Sequence, residues 1–360
     1  MIPFYYSKEN IFSSKIEALE KSDKLLFYYH DMEYDKLNWN LEPPLDIKEL
    51  YKLNALRLRE KYDKLILCYS GGYDSTQILE TFVFNSIKLD KIITVGAFSQ
   101  DENSDSDKNM NIEAYKNAFP FIKKYNLSEI YETFDYTKFF NSLSNFHLTE
   151  YGHNWVDKIG SFFSVHNFFW HNLEEIVIPN LWRNKKTGII FGIERPYLFY
   201  DSQNGKFYFS FKDTLINSYG NRYNSLYSDR LFFFWDVNFP NILLKQLHLI
   251  KNSCLIHHTS SKKSIEECLN DINRISNTPI LTEDGRNVSA VYNIKNSLTV
   301  KSPKSSNFYF SHRDRYLMDH TNSEIFKFYI NGMKNIKARL GNKSLSIERL
   351  PIIYSKRYYL

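Results

Sequence analysis

The sequence predicts an α/β protein: a mostly parallel, doubly wound sheet followed by a mainly helical carboxyl-terminal region. Three observations lead there. Short apolar runs of strand length alternate with segments whose apolar residues recur at helical spacing from residue 46 to about residue 213. The runs are nearly unbroken in their apolar character rather than alternating, as strands covered on both faces are. One of them, KLILCYS, ends in the adjacent pair Gly71-Gly72 and opens at once into a helical pattern, in a chain with only 12 glycines.

Taken in order, residues 1–45 mix a short β-like run, LLFYYH, with the turn-prone NWNLEPPLD, and form a small amino-terminal region. From Asp46, a residue able to cap a helix, Ile47, Leu50, Leu53, Leu56 and Leu58 follow at near-helical spacing. KLILCYS is then the first sheet strand and DSTQILETFVF the helix after it. KLDKIITVGAF, LSEIYETF and TGIIFGIE supply three more strands, with helices between them at 109–125 and about 155–176. RPYLFYDSQNGKFYFSFKD reads as a hairpin turning at Asn-Gly. Helical patterns at 241–252, 261–275 and 321–340 make residues 214–360 a mainly helical domain after the α/β domain of 46–213. SQDENSDSDKN reads as an acidic loop.

Composition narrows the class. At 360 residues and 43% hydrophobic content the chain can bury a sizeable core. A net charge of +5, from 46 basic and 41 acidic residues, gives a mixed surface rather than a nucleic-acid footprint, so a nucleic-acid partner is possible but not favoured. Cys68, Cys254 and Cys268 are too scattered for a disulfide framework or a thiolate zinc site. No apolar run approaches the roughly 20 residues of a spanning helix, and the amino terminus lacks a secretory pattern, so a soluble cytoplasmic protein is expected. The histidines, His257-His258 and His153 among them, lack partners at metal-ligand spacing.

A strand that runs through glycines into a helix is a device for holding an anion. Glycine permits positive φ and close approach, and the helix start presents free N–H groups and a positive dipole end. Ser70, Ser75 and Thr76 add hydroxyl donors, and Asp74 can act through Mg²⁺, which bridges carboxylate and phosphate oxygens. The site therefore suits a magnesium polyphosphate. Neither the Walker loop nor the dinucleotide G-x-G-x-x-G string occurs.

The string Ser70-Gly71-Gly72-Tyr73-Asp74-Ser75 resembles the S-G-G-x-D-S loop of the PP-loop ATP pyrophosphatases, a superfamily that includes asparagine, GMP, NAD and argininosuccinate synthetases. DIKELYKLNALRLREKYDKLILCYSGGYDS looks most like the synthetase domain of the asparagine synthetase branch, and like synthetase-type proteins of large phages. The likeness is specific over residues 46–98 and fainter to 213. It implies an adenine nucleotide α-hydrolase-like fold, the cofactors ATP and Mg²⁺, and cleavage of ATP between the α and β phosphates. It further implies that Ser70, Gly71, Gly72 and Ser75 hold pyrophosphate, that Asp74 carries magnesium, and that adenine packs near Val95, Gly96 and Ala97.

Asparagine synthetases carry an acidic G-[DE]-G-x-D-E string near the end of the fourth strand. Here only Gly192 and Glu194 resemble it, and Arg195 departs from it as a cation able to clamp a carboxylate or phosphate. About 60 residues precede the first sheet strand and the chain starts Met1-Ile2, which fits a member without the glutaminase domain. Cations from outside the loop would come from Lys301, Lys304 and Lys356. The expected activity is an AMP- and pyrophosphate-forming ligase that adenylates a carboxylate or carbonyl oxygen and passes the activated group to an amine or ammonia, with ATP and an acceptor substrate as partners. The alternative is a nucleotide-binding accessory protein or a nucleic-acid base-modifying protein that keeps the loop.

Overall fold

The computed structural model describes residues 4–8, 10–96, 98, 111–135, 173–193, 196–213, 228–275, 324–341 and 350–360. The chain opens with β1 (Phe4–Tyr6) and β2 (Ile11–Phe12), passes through α1 (Lys15–Lys21), returns as β3 (Leu26–Tyr28) and turns at α2 (Asp31–Tyr34). The three strands form an antiparallel sheet with β1 in the middle. Ser14 caps α1, its hydroxyl accepting the Glu17 amide at 3.4 Å.

α3 (Ile47–Lys61) forms where expected. The Asp46 carboxylate accepts the Lys48 amide at 2.9 Å, Glu49 lies in the first turn and Arg59 and Lys61 in the last, so the charges match the helix dipole. Its buried face carries Ile47, Leu50, Tyr51, Ala55 and Leu58 and packs against α4 (Tyr73–Phe84). Between these helices runs β4 (Lys64–Cys68), followed after α4 by β5 (Lys91–Gly96).

A π-helical turn, Ala114–Ala118, continues into α5 (Phe119–Lys124) and leads to β6 (Tyr131–Asp135). α6 (Leu173–Val177) precedes β7 (Thr187–Phe191), and β8 (Leu198–Asp201) and β9 (Lys206–Phe209) form the hairpin. β10 (Ser228–Phe232), α7 (Asn241–Ser261), α8 (Ile265–Ile275), α9 (Glu324–Leu340) and β11 (Tyr358–Tyr359) complete the described elements.

Five strands make one all-parallel sheet in the order β10-β7-β4-β5-β6. Every residue of β5 and β7 is buried, the state of strands covered on both faces. At the sheet's amino-terminal edge Asp90 ties α3 to β4. Its carboxylate accepts Arg59 at 2.6 Å, the Leu65 amide at 2.9 Å and Lys64 at 3.1 Å. Burial pushes this carboxyl up, but those donors outweigh it and hold it below the usual carboxylate range.

The fifth strand, β10, lies in the segment whose sequence reads as helical. Among the described residues, the helices expected there form as α7, α8 and α9, so residues after 213 supply both helices and an edge of the sheet. The hairpin also differs from its sequence reading. Asp201 pairs with Lys206, which leaves a four-residue loop rather than a two-residue Asn-Gly turn. Asp201 holds Asn204 by side chain (2.9 Å) and backbone (3.2 Å), and only Gly205 takes positive φ, at 64°.

The amino- and carboxyl-terminal segments share one hydrophobic core with the sheet. β11 adds a third strand to the hairpin, and the Phe27 amide bonds the Tyr354 carbonyl at 2.9 Å. Tyr34 donates to the Trp235 carbonyl at 3.2 Å, while Trp39 stacks on Tyr358 with centroids 4.5 Å apart. Beneath them Lys15 and Asp213 form a buried ion pair at 2.6 Å. Tyr5 and the Ile353 amide donate to the same carboxylate at 3.1 and 3.2 Å, which satisfies more of its lone pairs. Among the described residues no helix is long and apolar enough to cross a membrane.

Candidate functional site

From β4 the chain passes through α4 to β5 on one side, while β7 flanks β4 on the other. The crevice past the carboxyl ends of β4 and β7 is therefore a topological switch point, where open parallel sheets take their ligands. Residues 69–76 sit there. Leu65, Ile66 and Leu67 of β4 are fully buried and give the loop a fixed base. The Tyr69 amide bonds the Ile93 carbonyl at 2.7 Å, and Thr94 Oγ1 donates to the Tyr69 carbonyl at 2.6 Å, extending the strand register one residue beyond β4.

The chain then turns sharply. Gly71 has φ of 82°, in the left-handed region, and Gly72 caps α4 without a side chain to satisfy the helix start. The first-turn amides of Tyr73, Asp74 and Ser75 have no carbonyl of their own helix to bond, and the dipole end adds positive potential at the same point. Two serines brace the turn from inside. Ser75 Oγ accepts the Ser70 amide at 3.2 Å and lies 3.1 Å from Ser70 Oγ, which itself accepts the Gly72 amide at 3.2 Å. Thr76 is buried and donates to the Tyr69 hydroxyl at 3.4 Å, so it holds helix to strand rather than facing the turn.

Asp74 stands on the first turn of α4 with its Oδ1 buried. Its carboxylate and the hydroxyls of Ser70 and Ser75 are hard oxygen donors, the chemistry that suits Mg²⁺. Among the described residues no group of three or more His, Cys, Asp or Glu side chains could hold a metal ion unaided. An ion here would share its coordination with a polyphosphate, as magnesium commonly does.

Two further segments wall the turn. Gly192 follows directly on β7, and an added Cβ there would stand 2.8 Å from the Ser75 amide nitrogen and 2.9 Å from Ser75 Cα. Glycine is required there because backbone meets backbone. On the other side lies the π-helical turn. A Cβ on Gly71 would meet the Glu113 carbonyl oxygen at 2.5 Å and the Ala118 nitrogen at 3.1 Å, and a Cβ on Gly72 would lie 3.5 Å from Glu113 Oε2. Asn117 donates from Nδ2 to the Gly71 carbonyl at 3.1 Å.

Val95 and Gly96 close the end of β5, next to the loop's strand, as expected. The close approach that Gly96 permits is taken up by the protein itself: a Cβ there would meet Asn111 Oδ1 at 2.5 Å and Phe98 Cζ at 2.7 Å. Phe98 in turn meets Tyr115 and Phe119 in an aromatic cluster, with centroids 6.1 and 6.0 Å away. A base stacking on Gly96 would have to displace the Phe98 ring. Cys68, at the end of β4, has its thiol pushed well above the ordinary range by burial, with Arg230 opposing weakly, so it stays protonated at neutral pH.

The structure thus brings Ser70, Gly71, Gly72, Asp74 and Ser75 together at the turn, with Val95 and Gly96 at the end of the neighbouring strand, and adds Gly192; Thr76, expected among the hydroxyl donors of the turn, faces Tyr69 instead. Lys356 lies elsewhere in the fold, beside β11 and paired with Asp35. Ala97, Glu194, Arg195, Lys301 and Lys304 fall outside the described residues. Sequence reasoning missed Phe98, Asn111, Glu113 and Asn117. Nothing in NIEAYKNAF distinguishes a π-turn from an ordinary helix, so only the fold reveals that this segment faces the glycine pair.

No protein-family model, curated protein or solved structure matches the chain.

Proposed function

We propose that the chain is a PP-loop ATP pyrophosphatase with a doubly wound, adenine nucleotide α-hydrolase-like core, working as an AMP- and pyrophosphate-forming ligase. In this reading a carboxylate or carbonyl oxygen of the acceptor substrate attacks the α-phosphorus of ATP and pyrophosphate leaves. An amine or ammonia then attacks the activated carbon, AMP leaves with the bond electrons, and the nitrogen's proton passes to a base.

The observation that carries the reading is the placement of Ser70–Ser75. A glycine turn, with Gly71 at φ of 82° and the Ser70 and Ser75 hydroxyls bracing it, opens into the first turn of α4 past the carboxyl end of the central strand at the β4/β7 switch point. The amides of Gly72 and Tyr73 and the hydroxyls of Ser70 and Ser75 take the pyrophosphate, stabilising the charge that builds on the leaving group. The serine hydroxyls now turned onto the Ser70 and Gly72 amides rotate outward to do so. Asp74 is the residue that would hold magnesium, which when bound neutralises polyphosphate charge. Glu194 and Arg195, just beyond Gly192, are assigned to the acceptor, and Lys301 and Lys304 to the polyphosphate.

The test is product identity. Protein incubated with α- and γ-labelled ATP, Mg²⁺ and a metabolite pool should yield labelled AMP from the first and labelled pyrophosphate from the second. Formation of ADP and orthophosphate would overturn the mechanism.

A further inference from the structure

We propose that Asn117, on the π-helical turn, is a positioning residue that sets the anion-accepting orientation of the Gly71–Gly72 peptide without touching the ligand. The proposal rests on the polyphosphate reading of the loop.

The peptide between two glycines is the point of this loop that rotates at least steric cost, because neither flanking residue carries a Cβ to obstruct it. Its orientation decides the sign of the site. The Gly71 carbonyl points to Asn117 Nδ2 and the Gly72 N–H to the Ser70 hydroxyl. A half-turn of the plane would face a carbonyl oxygen toward the phosphates. Because a peptide unit is planar, fixing both its ends fixes the whole. Ser70 Oγ holds the N–H at 3.2 Å, and Asn117 Nδ2 holds the carbonyl at 3.1 Å. The serine is a rotatable hydroxyl that the ligand itself competes for. Asn117 is buried, and its amide stays when the serine turns outward.

The π-turn is what brings Asn117 there. In a π-turn the amide five residues on closes the ring, as Phe119 N–H does onto the Ala114 carbonyl, and the extra residue shifts the register of the side chains that follow. The Glu113 carbonyl and the Ala118 amide, five residues apart, occupy the space that a Gly71 Cβ would need, 2.5 and 3.1 Å from it. The same backbone feature thus forces glycine at residue 71 and aims Asn117 at that glycine's carbonyl.

The full chain and its Asn117→Ala and Asn117→Asp variants are titrated with magnesium pyrophosphate and with adenosine by calorimetry, with thermal melting as the check on folding. Asn117→Ala should weaken magnesium pyrophosphate at least tenfold and leave adenosine unchanged. Asn117→Asp should bind pyrophosphate weakly at neutral pH and regain affinity, relative to the unsubstituted protein, as the pH falls and a protonated carboxyl donates to the Gly71 carbonyl. Folded variants that bind pyrophosphate within twofold of the unsubstituted protein overturn the proposal and leave the loop reading standing. An unsubstituted protein that binds neither pyrophosphate nor ATP sinks both. Should Asn117→Ala fail to fold, Asn117→Asp decides: magnesium pyrophosphate affinity at neutral pH within twofold of the unsubstituted protein refutes the role.

Discussion

Alanine substitution at Gly71, Gly192 and Gly205 separates two physical costs that the structure assigns to different glycines. Gly205 has positive φ and open space, its nearest neighbour to an added Cβ being the Tyr200 hydroxyl at 3.9 Å. Gly192 has no such φ, but a Cβ would meet backbone at 2.8 Å. Gly71 has both, φ of 82° and the Glu113 carbonyl oxygen at 2.5 Å. Placing a non-glycine residue in the left-handed region costs about 1–2 kcal/mol. Forcing an extra carbon against tightly packed atoms costs about 1–3 kcal/mol, and backbone cannot swing aside as a side-chain tip can. Alanine also reduces the freedom of the unfolded chain, returning about 0.4–1 kcal/mol at every site. Gly205→Ala should therefore cost about 1 kcal/mol or less, Gly192→Ala about 1–2 kcal/mol, and Gly71→Ala about 2–4 kcal/mol. Urea unfolding followed by circular dichroism, analysed by linear extrapolation, measures all three. If Gly71→Ala costs no more than Gly205→Ala, the backbone packing of the π-turn on the loop is not as described here.

Asp74→Asn, an exchange of nearly equal volume, should leave the melting temperature within a few degrees while lowering magnesium-dependent pyrophosphate release by about a hundredfold or more; undiminished release removes the assigned role. The buried tyrosines make stability sensitive to alkali. Burial raises the phenols of Tyr29, Tyr34 and Tyr358 well above their ordinary value and that of Tyr131 to about 12. Unfolded phenols ionise near pH 10, so this stabilisation is fully present below about pH 10 and is lost as pH rises through the folded values. The urea midpoint should hold up to about pH 10 and fall between about pH 10 and pH 12, with tyrosinate absorbance rising in step with unfolding; ionisation of these tyrosines at an unchanged midpoint would refute the assignment.

What could be read from the residues follows the range of the forces involved. β4, β5 and β7 were legible because strands buried on both faces must be apolar throughout, and α3 because Asp46 and the leucine spacing act within one helix. β10 was hidden by its own polar residues. Asp229 accepts the Tyr62 hydroxyl at 2.7 Å and Arg230 pairs with Glu174 at 3.5 Å, so side chains that argue for an exposed loop are satisfied by partners far away in sequence. The two- and three-residue strands β1, β2 and β11 are too short for alternation to register, whereas β3 falls within the β-like run LLFYYH.

The same division runs through the candidate site. Its turn residues, Ser70 to Ser75, are contiguous, and a sharp turn from strand into helix is written locally in glycine and serine. Its walls are not contiguous. Gly192 lies against Ser75 because β7 inserts beside β4, and Asn117 reaches Gly71 because a π-turn re-aims it. Local chemistry therefore writes the turn that the proposed function uses, whereas long-range packing fixes what lies against the glycine pair. A chain bearing the same six residues without that packing would show the motif and lack a fixed cup. For this reason the substitutions that discriminate most sharply lie at residues 117 and 192, outside the motif of residues 70–75.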